Sequence, residues 1–127
     1  MAQKREINAH FSSGKRYFEN KLGNEFFFTD STGPYEYLLG ALAGCYISTL
    51  SSYYTQPDWT GLDVNVVGIK RDEIPTVLEE TTLNIVAKGV GNKKEFNANA
   101  EKASKECSIF QTIAKVSEMR INIEYED

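Results

Sequence analysis

The stretch from Gly33 to Tyr54, GPYEYLLGALAGCYISTLSSYY, constrains the fold more than any other part of this sequence. It contains one charged residue, Glu36, and it ends before Pro57. An apolar run of this length with so few charges is typical of a helix that is buried on nearly all of its surface. Small residues recur along it at every fourth position and would let another element approach closely: Gly40, Gly44 and Ser48. We predict a central helix with the thiol of Cys45 near its middle.

The beginning of this helix is predicted at Gly33 and Pro34. Proline is favoured in the first turn because its missing N–H would have no helical partner there. If Gly33 caps the helix, Glu36 occupies the third helical position, where a carboxylate can accept hydrogen bonds from free backbone N–H groups. We therefore expect Glu36 to stabilise the helix start.

Alternating apolar and polar residues predict strands on both sides of this helix. The predicted strands occupy six segments: 2–10, 15–21, 25–30, 61–73, 78–89 and 118–127. The first three are separated by turn residues and predict a three-stranded meander, whereas the next two flank Pro75 and predict a long hairpin. In the last segment Met119, Ile121 and Ile123 alternate with charged or amide residues, as in a strand that packs on one face only.

A second helical region, EFNANAEKASKECSIFQTIAK, contains the other thiol, Cys107. Its apolar residues follow steps of four, three, four and three, which places them on one helical face: Phe96, Ala100, Ala103, Cys107 and Phe110. Cys107 is therefore predicted to point into the core. The order of strands and helices predicts an α+β fold, with residues 1–127 forming a single domain.

The composition excludes several classes of protein. The chain has 127 residues, 41% of them hydrophobic and 25% charged, as is ordinary for a soluble globular domain. A net charge of −4 argues against nucleic acid as a partner, because phosphate backbones are bound by clustered Lys and Arg. The N-terminal segment lacks the apolar core of a secretory signal, and the glycine and hydroxyl residues of the central helix argue against a membrane span. We expect a cytoplasmic protein without membrane or nucleic-acid partners.

The two cysteines, Cys45 and Cys107, admit three interpretations. They are unrelated buried thiols, a structural disulfide, or a pair that cycles between sulfenic acid and disulfide. A cytoplasmic location disfavours the structural disulfide. The small residues beside both thiols favour the redox pair, but the residues alone leave the choice open.

Neither a metal nor another cofactor is expected. Two cysteines and the single histidine, His10, fall short of the four ligands of a structural zinc site. His10 lies in a predicted edge strand and is expected to be neither a ligand nor a catalytic base. The glycines form no phosphate-binding loop, so no nucleotide site is predicted.

The segment GPYEYLLGALAGC, which ends at Cys45, resembles the helix-start and first-cysteine motif of the OsmC/Ohr family of thiol-dependent hydroperoxide reductases. The pattern AxxxCSIF around Cys107 resembles the family's second-cysteine segment, and the order of elements agrees over the whole chain. The resemblance implies an OsmC-like homodimer in which antiparallel sheets from both subunits wrap around long central helices, with active sites at the interface.

The resemblance also implies a mechanism. Cys45 would attack the O–O bond of a hydroperoxide, Cys107 would resolve the sulfenic acid as a disulfide, and an external dithiol would restore both thiols. A family arginine in the N-terminal sheet activates the first thiol. Arg16 is the best candidate for it here, and Arg5 is the alternative.

One position departs from the family motif. The family's carboxylate partner of that arginine directly follows the proline, where this chain has Tyr35, and a glutamate, Glu36, comes one residue later. Glu36 and Cys45 differ by nine positions, or about 180° around a helix, so Glu36 should face away from the thiol. Glu36 is the candidate for the displaced carboxylate, with capping of the helix or contact with the other subunit as its expected role.

These features favour an enzyme that reduces hydroperoxides. Organic hydroperoxides are favoured over hydrogen peroxide because Phe, Tyr and Leu surround both thiols in the sequence. Two other classes of function remain open: a non-catalytic protein that binds small molecules in an apolar pocket, and a redox sensor with slow turnover.

Overall fold

The computed structural model of the protein describes residues 3–127. The elements follow in the order β1 (Asn8–Ser12), β2 (Lys15–Glu19), β3 (Glu25–Phe27), α1 (Pro34–Ser51), β4 (Gly61–Lys70), β5 (Leu78–Lys88), α2 (Lys93–Glu106), α3 (Ser108–Ala114) and β6 (Glu118–Glu126). This arrangement confirms the predicted α+β class and the predicted order of elements. The chain divides into two compact units, one that ends at Leu38 and one that comprises Leu39–Asp127.

The first unit contains the predicted meander as an antiparallel sheet in the order β1-β2-β3. Strand β1 lies later in the chain than predicted, because Ser12 pairs with Lys15 and only Ser13 and Gly14 form the turn. Gly14 has a φ of +78°, a conformation that glycine adopts without steric cost. None of the described residues up to Leu38 is fully buried in this chain.

Aromatic side chains connect this sheet to the first turn of α1. The ring of Phe18 lies 5.1 Å from that of Phe26 and 5.4 Å from that of Tyr37, measured between ring centroids. The Tyr37 hydroxyl donates a hydrogen bond of 2.5 Å to the carbonyl of Phe27. The start of the helix is thus fixed to the sheet by ring contacts and by one polar contact.

The second unit contains a sheet in the order β4-β5-β6. Strands β4 and β5 form the predicted antiparallel hairpin. Strands β5 and β6 pair in parallel, whereas the resemblance implied antiparallel sheets. The parallel pair follows from the helices α2 and α3, which connect the two strands as a crossover, the kind of connection that parallel pairing requires.

The core of this unit is formed by buried residues of β5 and of the helices. Strand β5, which the alternating pattern of segment 78–89 predicted, buries alternate residues on one face: Thr81, Leu83, Ile85 and Ala87. Helix α1 buries Leu42, Tyr46 and Leu50, while its small-residue stripe remains exposed. The prediction that this helix is buried on nearly all of its surface is therefore wrong for the single chain, which covers one face of it.

The second helical region is divided into two helices. Helix α2 ends at Glu106, and Cys107 has an extended backbone with φ −71° and ψ 119° before α3 begins. The expected face is nevertheless buried, and Cys107 is among the fully buried residues. Within residues 3–127, no helix combines the length and the apolarity that crossing a membrane requires.

Candidate active site

The thiols of Cys45 and Cys107 lie in contact within the second unit. Their Sγ atoms are 3.2 Å apart, although the residues are separated by 62 positions in the sequence. Both cysteines are free thiols, since a disulfide would bring the sulfurs to about 2.05 Å. Cys107 is fully buried, and Cys45 is partly exposed. The two thiols are therefore neighbours in the fold, as the redox-pair interpretation requires.

Hydrogen bonds at the break between α2 and α3 hold the Cys107 thiol in position. The Cys107 N–H donates to the carbonyl of Ala103 at 2.8 Å, and the Cys107 carbonyl accepts from the N–H of Gln111 at 3.0 Å. The Cys107 Sγ also accepts the N–H of Phe110 at 3.4 Å, as an N-cap side chain does. The Gln111 side-chain amide then donates to the carbonyl of Ser104 at 2.7 Å. These bonds join the two helices through the thiol-bearing residue.

The surroundings of Cys45 favour its thiolate. Partial burial acts to raise the pKa of Cys45, but hydrogen bonds together lower it below the usual thiol value. The larger ones come from the backbone N–H of Ile109, the Cys107 thiol and the backbone N–H of Ser108, whereas the nearby Thr49 hydroxyl donates its proton to the Cys45 carbonyl at 2.9 Å. A thiolate is the nucleophilic form of cysteine, so a lowered pKa would make Cys45 the more reactive thiol of the pair.

Cys107 has the opposite tendency. Burial raises the pKa of Cys107, and the hydrogen bond and charge of Cys45 raise it further, against the lowering effect of the backbone N–H groups of Phe110 and Ile109. Because the two thiols interact, they titrate as a pair in which Cys45 ionises first. The site therefore contains two neighbouring thiols of different acidity, of which Cys45 is the more acidic.

Glu36 caps the start of α1, in agreement with the sequence prediction. The Gly33 carbonyl accepts the N–H of Tyr37 at 3.3 Å, which makes Gly33 the capping residue. The Gly33 N–H in turn donates to the Glu36 carboxylate at 2.7 Å. This is the glutamate half of a capping box. Glu36 belongs to the first unit and the thiol pair to the second.

Arg16 lies on β2 of the first unit beside an apolar cavity of about 310 Å³. The cavity is lined by Phe11, Arg16, Phe28, Thr29, Gly33 and Pro34.

Arg5, the alternative cation, donates a hydrogen bond of 3.4 Å to the side chain of Gln3. His10 lies 2.9 Å from the carboxylate of Glu19 on the neighbouring strand. In the described part of the chain, no three or more His, Cys, Asp and Glu side chains are grouped so that they could hold a metal ion.

Two features of the thiol site were missed by the sequence reasoning. The first is the pair of backbone N–H groups, from Ser108 and Ile109, that help to lower the pKa of Cys45. The second is a hydrogen bond between Tyr53 and Glu106, next to Cys107 in the chain. Backbone groups leave no mark on residue type, and neither Tyr53 nor Glu106 belongs to a recognisable motif.

Comparison with protein families gives one decisive match. The model of the family described as "OsmC-like protein" matches residues 27–123 of this chain. The chain belongs to the OsmC-like protein family. The match includes both cysteines and the helix start at Gly33, the segments on which the resemblance in the sequence rested. A search of curated proteins found no match.

Solved structures share the fold of this OsmC-like protein at low sequence identity. An OsmC-like protein from Mycoplasma pneumoniae has a TM-score of 0.82 and 18% identity, with 100% of both chains covered. An organic hydroperoxide resistance protein from Elizabethkingia anophelis has a TM-score of 0.71 and 17% identity, with 99% of this chain and 100% of that chain covered. The organic hydroperoxide resistance protein OhrB of Bacillus subtilis has a TM-score of 0.70 and 12% identity, with 96% and 98% covered. At these identities the likeness shows the fold.

Proposed function

We propose that this OsmC-like protein is a thiol-dependent peroxidase that reduces organic hydroperoxides in oxidative-stress defence in the cytoplasm. The observation that supports this proposal most strongly is the 3.2 Å contact between the Cys45 and Cys107 sulfurs. A sulfenic acid formed on one thiol has the second thiol beside it, so closure to a disulfide is intramolecular and needs no encounter. The similarity of fold to two organic hydroperoxide resistance proteins supports the choice of substrate class.

The proposed cycle assigns different steps to the two thiols. The Cys45 thiolate attacks the O–O bond of the hydroperoxide and retains one oxygen as sulfenic acid, while the other oxygen leaves as an alkoxide and takes up a proton to give the alcohol. Cys107 then bonds to the Cys45 sulfur, and the sulfenic oxygen leaves as water. An external dithiol reduces this disulfide and is itself oxidised to a disulfide. The lowered pKa of Cys45 and the raised pKa of Cys107 support this order.

The cavity beside Arg16 supports an organic substrate. The rings of Phe11 and Phe28 offer an apolar surface for the organic group, and the Arg16 guanidinium offers a charge for the peroxide oxygens. A fixed cation stabilises the negative charge that develops on the leaving oxygen. We assign this role to Arg16. We assign to Glu36 the positioning of Gly33, which lines the same cavity.

We further propose a homodimer of single-domain subunits that comprise residues 1–127. The first unit exposes large aromatic side chains, with Phe11 at 68% and Phe27 at 41% of their full accessibility. On α1, the small residues Gly40, Gly44 and Ser48 are exposed as well. Exposed apolar surface of this kind is typical of an interaction site, and a second subunit would cover it. A stable monomer in sedimentation would contradict this assembly.

Turnover distinguishes the proposed enzyme from the other classes of function. The reduced protein is mixed with excess cumene hydroperoxide and dithiothreitol, and consumption of peroxide is followed, with hydrogen peroxide in a parallel reaction. We expect many turnovers per protein and faster consumption of cumene hydroperoxide. Consumption that stops after one equivalent would instead support a redox sensor, and no consumption would support a binding protein.

A further inference from the structure

One side-chain hydrogen bond ties the end of α1 to the end of α2, directly before the buried thiol. The hydroxyl of Tyr53, which follows the last residue of α1 by two positions, donates to the Glu106 carboxylate at 2.5 Å. Glu106 is the last residue of α2 and precedes Cys107 in the chain. The bond therefore fixes where α2 stops relative to the helix that carries Cys45.

Tyr53 makes a second contact with α2 through the face of its ring. The Nζ atom of Lys102, one turn before Glu106 on α2, lies 4.5 Å from the ring centroid, within the range of a cation–π contact. Burial and the hydrogen bond to Glu106 raise the pKa of Tyr53 to about 12, so its hydroxyl remains a donor at neutral pH. Two side chains of the last turns of α2 thus contact one tyrosine at the end of α1.

This attachment matters because Cys107 lies at a break in the helical chain. Its backbone is extended between α2 and α3, so the two helices are not joined there by a continuous ladder of hydrogen bonds. The sulfurs must approach from 3.2 Å to about 2.05 Å for the disulfide to form. A thiol that is held near its bonding position forms the bond faster and more completely than one that moves freely.

We propose that Tyr53 and Glu106 are positioning residues that hold Cys107 against Cys45 for disulfide formation. This inference rests on the proposed two-cysteine cycle. In that step the Cys107 sulfur bonds to the sulfenic sulfur of Cys45, the S–O bond breaks, and the departing hydroxide combines with the Cys107 proton to give water. Tyr53 and Glu106 act through the position of Cys107 and take no part in the bond changes.

Equilibration with glutathione tests the positioning without any peroxide. Glutathione disulfide oxidises Cys45 and Cys107 to their disulfide and is reduced to two glutathione thiols, so the equilibrium constant reports how well the fold holds the pair together. We expect Tyr53→Phe and Glu106→Ala each to lower this constant about fivefold, as loss of one hydrogen bond would. The double variant should be no worse than either single variant, because all three lack the same bond.

Two further variants serve as controls. Glu106→Gln retains an oxygen that can accept a hydrogen bond from the Tyr53 hydroxyl. Its equilibrium constant with glutathione should therefore remain close to that of the parent protein. Tyr54→Phe removes a hydroxyl one residue away that is buried without a hydrogen-bond partner among the described residues, so it should leave the constant unchanged. Equal effects of Tyr53→Phe and Tyr54→Phe, or a parent-like constant for Glu106→Ala, would overturn the proposal.

The reaction with peroxide separates this inference from the proposed function. With cumene hydroperoxide, Tyr53→Phe should form sulfenic acid at Cys45 as fast as the parent protein but close the disulfide about fivefold more slowly. More sulfinic acid should therefore accumulate at Cys45 in excess peroxide. If the parent thiols survive peroxide while the glutathione constant still responds to Tyr53→Phe, the peroxidase function fails and the positioning role stands. If the parent forms the disulfide and Tyr53→Phe closes it at the parent rate, the positioning role fails alone.

Discussion

Cys45 Sγ and Cys107 Sγ lie 3.2 Å apart, with Cys45 in the middle of α1 and Cys107 at the break between α2 and α3. This relationship assigns different chemistry to two residues of the same type. The partly exposed Cys45 accepts hydrogen bonds from the start of α3, whereas Cys107 is buried and caps that helix itself.

Removal of the second thiol should stop the cycle after one turn. In Cys107→Ser, Cys45 can still reduce one hydroperoxide, but its sulfenic acid has no partner thiol. We expect one equivalent of cumene hydroperoxide to be consumed rapidly and a sulfenic acid to be trapped at Cys45 by dimedone, as detected by mass spectrometry. Continued turnover of Cys107→Ser at the parent rate, with dithiothreitol as reductant, would contradict the resolving role of Cys107.

The reaction should depend on pH through the thiol of Cys45. Below its pKa, Cys45 is protonated and unreactive, so the rate of a single turnover with cumene hydroperoxide should rise with pH and level off once the thiolate predominates. Because the pKa of Cys45 is lowered, the midpoint of the curve should lie below the ordinary thiol value of 9.0. Cys107→Ala removes the hydrogen bond from the Cys107 thiol to the Cys45 sulfur and should move the curve to higher pH. A parent curve centred above 9.0 would show that these bonds fail to activate Cys45.

Arg16 should be required for a fast reaction with the hydroperoxide but not for disulfide formation between Cys45 and Cys107. We expect Arg16→Ala to lower kcat/KM for cumene hydroperoxide about a hundredfold, the lower end of what loss of one charge-stabilising donor costs. The disulfide should still form in a glutathione buffer, because the two cysteines belong to a separate compact unit. Arg5→Ala is the matched control and should react at the parent rate. If Arg5→Ala reacts slowly with cumene hydroperoxide while Arg16→Ala reacts at the parent rate, Arg5 would be the residue that stabilises the leaving oxygen.

Glu36 should contribute to stability through the start of α1. Glu36→Ala removes the acceptor of the Gly33 N–H and should lower the free energy of unfolding by about 1 kcal/mol, as measured in urea. Glu36→Gln keeps an acceptor oxygen and should lose less. The matched control is Glu73→Ala, an exposed glutamate in the connection between β4 and β5. Equal stability of Glu36→Ala and Glu73→Ala would exclude a significant capping contribution.

The sequence was most informative where local pattern and local structure coincide. The position of Glu36 three residues after Gly33 predicted the cap that the structure shows. The spacing of Phe96, Ala100 and Cys107 predicted a buried face, and this face is buried. These features depend on helical periodicity alone, which a single sequence displays directly.

The features that the sequence did not reveal depend on tertiary contacts. The residues around Cys107 are compatible with a continuous helix, and the break becomes evident only from the extended backbone of Cys107 in the folded chain. The apolarity of α1 predicted burial all round, but a sequence does not tell whether its own chain or another covers a given face. The Tyr53–Glu106 bond joins residues 53 positions apart and has no local signature.

The most direct test of the account is the fate of the two thiols after one equivalent of cumene hydroperoxide. The fully reduced protein is treated, the remaining thiols are alkylated, and the peptides are analysed by mass spectrometry, with Cys45→Ser as the unreactive control. We predict that both thiols disappear together and that one intrachain disulfide joins Cys45 to Cys107. Persistence of both thiols after excess peroxide would contradict the account.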